Sequence, residues 1–120
     1  MKIRADQCEF IERDDENLAS AWFTERNGTV RYVTLCRSLD NNQLYVERDD
    51  QAWAAYDGIE RIEMTGSRLI VLLNAQAAQQ LGNVSQLIVD CDQIDTNQVT
   101  QLRSLLPQLV AGTSATLTVR

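Results

Sequence analysis

The chain contains no histidine. That absence excludes a Ser-His-Asp triad and a Cys-His nucleophile pair, each of which uses imidazole as its base. It also removes the commonest ligand from any zinc site. Cysteine is scarce and scattered: Cys8, Cys36 and Cys91 are odd in number and far apart, so they form neither a disulfide framework nor a metal set. They read as small buried hydrophobes. Gly28, Gly58, Gly66 and Gly82 stand singly and mark turns, and none belongs to a phosphate-cradling loop. The longest apolar run, from Leu69 to Leu73, is far too short to cross a bilayer. The opening MKIRADQCEF lacks both an apolar stretch and a small-residue cleavage site, so a cytoplasmic location is expected.

Acidic residues are abundant. The formal net charge is −6, and its source is uneven: residues 1–60 hold 13 Asp/Glu against 7 Lys/Arg, whereas residues 61–120 hold 4 against 4. Phosphate backbones and anionic membranes are held by Lys and Arg, so neither nucleic acid nor a membrane surface is an expected partner. An acidic balance instead favours a basic protein, drawn in by electrostatic steering. With 44% hydrophobic and 23% charged residues in 120, the composition is that of a folded chain, and a single domain over 1–120 is expected.

Residues 2–13 alternate loosely and read as a first strand. Asn27-Gly28 tolerates the positive φ values of a type I′ turn and predicts a hairpin with strands at 19–26 and 29–38. Asp40-Asn41-Asn42 turns the chain into a third strand over 44–48, completing a meander. The segment 52–56 fits either a turn of helix or an irregular loop. Residues 59–64 and 68–73 flank Thr65-Gly66-Ser67 as a second hairpin. Asn74 is a candidate N-cap for a helix over 75–81, with Gly82 just beyond its end. Residues 86–91 read as a strand. Asp95, with Gln98 three residues on, resembles a capping box for a second helix, whose apolar positions Val99, Leu102, Leu106 and Leu109 recur at helical spacing. Pro107 should end or kink that helix near Leu106. Residues 115–119 form a last strand. Strands followed by late helices predict an α+β fold: a mostly antiparallel sheet of hairpins and meander, with both C-terminal helices packed on one face.

Two acidic groupings draw attention. Asp90, Asp92 and Asp95 could in principle surround Mg²⁺ or Ca²⁺, but they lack the turn glycine and closing Glu of a calcium loop. A strand end followed by an N-cap explains them without a metal, and no metal or cofactor is expected. The second grouping is Glu47, Asp49 and Asp50 with Trp53 and Tyr56. Aromatics supply buried contact at interfaces and carboxylates match a basic partner, so these five are the candidate partner-binding residues. Trp22 and Phe23 are neighbours in a strand and must point to opposite faces, one to the core and one outward. No residue is assigned a catalytic role.

The run Leu44-Tyr45-Val46-Glu47-Arg48-Asp49-Asp50-Gln51, the turn Tyr56-Asp57-Gly58-Ile59, the strand Leu69-Ile70-Val71-Leu72-Leu73 and the pair Leu81-Gly82 together resemble the immunity protein 10 family. That family belongs to bacterial polymorphic-toxin and contact-competition systems. The pattern spans residues 31–82, and it departs from the family near Asp57, where a second turn glycine is expected. The resemblance implies a non-enzymatic inhibitor that binds a cognate toxin, one to one. An acidic surface would suit a toxin with a basic cleft. The alternative expectation is an acidic secretion chaperone for an effector protein. An enzyme built on paired carboxylates has little support, because no pair of acids stands apart as one.

Overall fold

The computed structural model describes all 120 residues and has an α+β architecture. Ten strands occur: β1 (Lys2–Arg4), β2 (Gln7–Ile11), β3 (Leu18–Glu25), β4 (Arg31–Ser38), β5 (Leu44–Arg48), β6 (Asp50–Tyr56), β7 (Ile59–Thr65), β8 (Arg68–Leu73), β9 (Gln86–Asp90) and β10 (Thr116–Val119). Helix α1 (Ala75–Gln80) lies between β8 and β9, and α2 (Thr96–Val110) lies between β9 and β10.

The strands are mostly antiparallel, as expected, but they divide into two sheets of five. One is an unbroken antiparallel meander in the order β2-β3-β4-β5-β6. The other runs β1-β9-β8-β7-β10, with an antiparallel centre and parallel pairs at both edges. The division begins where a single first strand was expected over 2–13. The Ala5 N–H bonds to Asp90 O (2.9 Å), in line with β9, and the next N–H, on Asp6, bonds to Thr24 O (3.0 Å) of β3. The chain thus changes sheets across one peptide, and β1 and β2 serve different layers. Both helices lie on the inner face of the meander, as expected. Helix α2 packs on β2, β3, β4 and β10, while α1 sits between β6 and β8. Buried side chains from both sheets and both helices meet in one core of 25 residues, centred on Phe23, Leu35, Ile62, Leu69, Leu87 and Leu106.

Several local expectations change. The first hairpin pairs Glu25 with Arg31, so five residues join its strands. Gly28 alone among them has positive φ (88°), and Asn27 does not, so the connection is not a two-residue type I′ turn. Segment 52–56 is neither helix nor loop but part of edge strand β6, which pairs with β5 through a register shift at Glu47/Arg48. Helix α2 runs past Pro107 to Val110. The proline removes one helical donor, but Leu105, Leu106 and Leu109 are all buried, and packing holds the last turn in place. Both N-cap residues are as read, with Asn74 Oδ1 accepting from Ala77 N–H (2.8 Å) and Asp95 Oδ1 accepting from Asn97 N–H (2.7 Å), but the Asp95 bond goes to Asn97 and not to Gln98, so the capping box does not form.

Candidate functional site

Alternation along the meander gives it two unlike faces. Ala21, Phe23, Val33, Leu35, Leu44 and Val46 point inward and are buried. The opposite face is covered by no helix. The cross-strand register places Glu9, Trp22, Thr34, Glu47 and Ala54 in one row across all five strands of that open face. A neighbouring row runs Ile11, Ser20, Cys36, Tyr45 and Tyr56. Phe23 fills the core, and its neighbour Trp22 stands on the open face with 53% of its surface exposed. The two residues divide between the faces as their adjacency requires.

Glu47 lies on β5, beside the edge strand β6, and is half-buried. The hydroxyls of Tyr32 and Tyr45 donate to its two carboxylate oxygens, one to each. Burial and the adjacent carboxylate both push these phenols above their ordinary pKa, which keeps them protonated as donors across the neutral range. The Tyr45 ring also packs against Tyr56, with centroids 4.9 Å apart. Two shallow cavities flank the Trp22–Thr34 pair. One, of about 490 Å³, is bounded by Trp22, Tyr32, Thr34, Glu47 and Gln51. The other, of about 500 Å³, includes Ile11, Cys36, Tyr45 and Tyr56.

The five expected partner-binding residues do not form one patch. Glu47 and Tyr56 are on the open face, in adjacent rows. Trp53 lies at the β6 edge, where its ring covers the guanidinium of Arg48 at 3.9 Å. Asp50 is exposed, and its carboxylate accepts from Ala52 N–H (2.8 Å). Asp49 is engaged internally. It occupies the left-handed region (φ 61°) at the β5–β6 junction, pairs with Arg31 (2.9 Å) and Arg48 (3.1 Å), and accepts from Tyr32 N–H (3.0 Å). Burial works to raise its pKa, but these three donors together outweigh that effect and hold the carboxyl below the usual range. Trp22, Tyr32 and Tyr45 are the residues that the candidate set omits. Their signal was present in the strand alternation, which puts Trp22, Tyr32, Thr34, Tyr45 and Glu47 on one side once the register is known.

Arg48 anchors the back of the site. Its buried guanidinium donates from Nε to Leu81 O (2.8 Å), satisfying a carbonyl at the end of α1 that the helix leaves free. Gly82 (φ 83°) follows, and a Cβ there would overlap the Arg48 guanidinium. Gly58 is needed for a different reason: a Cβ at this position would collide with the Ala77 methyl of α1. The preceding Asp57 has φ 54°, a conformation that glycine adopts most readily, and its side chain accepts from Leu44 N–H (3.2 Å). Asp57 therefore holds a glycine-like backbone and adds a hydrogen bond. The other acidic grouping is dispersed among partners. Asp92 receives two bonds from Arg4 (2.9 and 2.7 Å), Asp90 pairs with Arg68 (3.5 Å) and Asp95 caps α2.

An uncovered sheet face carrying aromatics and a fixed carboxylate, with its structural residues gathered behind it, defines a small α+β protein with one open sheet face. The chain belongs to the immunity protein 10 family, whose family model matches residues 4–99. The match extends well beyond the 31–82 segment and covers every strand of the meander. Membership assigns the chain to toxin immunity in general terms. No curated protein and no solved structure matches it.

Proposed function

We propose that this chain protects a cell by binding its cognate toxin in the cytoplasm, one to one, with the acidic meander sheet meeting a basic surface of the toxin. The observation that carries this reading is the acidity of the segment that builds the meander, most of it in the connections between strands, since β2–β6 themselves hold four Asp/Glu against three Lys/Arg. Residues 5–58, which contain the whole meander, hold 12 Asp/Glu against 5 Lys/Arg, a net of −7; the remaining residues hold 5 against 6, a net of +1. Opposite charges raise association rates, and an inhibitor that must act before the toxin reaches its target benefits from speed. Such an inhibitor works by complementarity and occlusion, and Glu47, Tyr56, Asp50 and Trp53 all lie on the open face or along its β6 edge. Asp49 contributes indirectly, by holding the β5–β6 junction that positions them.

The test is a tagged pull-down from the native host grown with its secretion systems active, followed by growth rescue. A partner captured at one-to-one stoichiometry should arrest growth when expressed alone in the cytoplasm and be harmless when co-expressed with this chain. A non-toxic partner held through its N-terminal segment would replace immunity with a secretion-chaperone role.

A further inference from the structure

Glu47 is a carboxylate with hydrogen bonds but no countercharge. None of the molecule's six ion pairs includes it. The nearby cations are committed elsewhere: Arg48 points to the opposite face and binds Leu81 O and Asp49, Arg37 binds Gln108 O and Asn42, and Arg31 binds Asp49. The rows that form the open face bring no Lys or Arg beside Glu47. Two phenols orient the carboxylate, yet a carboxylate offers about four acceptor sites, so it retains capacity for a further donor. The same cavity is walled by Trp22 and Tyr32.

We propose that this cavity is an arginine receptor: a guanidinium from the toxin bonds to Glu47 and stacks on the Trp22 ring, with the Tyr32 and Tyr45 hydroxyls fixing the carboxylate that receives it. The proposal rests on the immunity reading for the source of the arginine, but the ligand chemistry is set by the cavity alone. Arginine fits better than lysine, because a planar guanidinium can form parallel bonds to a carboxylate while lying flat on an aromatic ring.

The experiment is an amide-resolved NMR titration of the intact chain, at low ionic strength, with a tri-arginine peptide amide, its tri-lysine analogue and its uncharged tri-citrulline analogue. Shifts should centre on Trp22, its indole N–H, Thr34 and Glu47. Tri-lysine should bind more weakly and tri-citrulline should cause no shift. Glu47→Gln, which keeps the shape and removes the charge, should weaken tri-arginine binding about tenfold. Trp22→Ala serves as a second variant, since an exposed side chain can be removed without disturbing the core, and it should weaken binding by about the same factor. The proposal is overturned if the shifts map to Asp14–Glu16 or Asp50, if Glu47→Gln binds as tightly as the parent, or if tri-arginine causes no shift. The immunity reading fails separately. A mapped arginine site in a chain that rescues no cell from its captured partner would refute immunity alone. Undiminished rescue by a folded Glu47→Gln/Trp22→Ala double variant would refute the receptor alone.

Discussion

Glu47 and Asp49 stand two residues apart, yet the register shift between β5 and β6 gives them different work. Glu47 faces outward, and Asp49 ties Arg31, Arg48 and the Tyr32 backbone together. Asp49→Asn keeps a side chain that tolerates positive φ but removes the charge from a partly buried pair. It should cost about 2–3 kcal/mol in a urea denaturation, through the lost charged hydrogen bonds. The depressed Asp49 pKa also has a sign. Its contribution is fully present above the unfolded-state value of about 3.9 and is lost as pH falls through the lower folded-state value. Parent and variant should therefore converge in stability below about pH 4, and a constant gap down to pH 2 would remove Asp49 from that role. The cysteines form a second residue-scale case. Burial pushes all three thiols above their ordinary pKa, and that of Cys91 to about 12. In the native protein at pH 8, Cys91 should resist a thiol-specific disulfide reagent that labels all three cysteines after denaturation.

At the scale of elements, Gly58 fixes how closely α1 approaches β6. Gly58→Ala forces its methyl against Ala77 and should destabilise the fold by about 2 kcal/mol, read as a lowered denaturation midpoint with an unchanged slope. An unaltered midpoint would mean that α1 moves aside freely. The elements best read from sequence are those with strong local signals: β3, β4 and β5, the β7–β8 hairpin and the Asn74 and Asp95 caps. Strand β6 was obscure because Ala52, Ala54 and Ala55 give it no polar–apolar alternation, and its pairing with β5 determines its conformation. The end of α2 was misjudged because the local penalty of Pro107 is outweighed by the burial of Leu109, which is a tertiary effect. The open face was half legible. The opposition of Trp22 and Phe23 follows from adjacency, but the meeting of Trp22, Thr34 and Glu47 depends on the register of three strands.

For the whole molecule, local signals indicated a mostly antiparallel α+β fold but not its two layers. That division depends on β1 finding β9 and on β10 finding β7, pairings between distant segments that no local pattern encodes. On the proposed reading, the net charge of −7 over residues 5–58 has a kinetic consequence. Association with the toxin should slow as ionic strength rises past about 0.15 M, where the screening length falls to about 8 Å, while dissociation changes little. A salt-independent association rate in stopped-flow mixing would argue against steering by the meander. The two faces of that sheet also have separable duties. Inward positions such as Phe23, Leu35 and Val46 specify the fold, and the outward positions between them pack against nothing in the core. Outward residues can then be exchanged with little loss of stability, so two chains of this architecture could diverge in whom they recognise while folding identically. On the proposed reading, grafting one chain's outward set onto another's inward set should transplant its specificity.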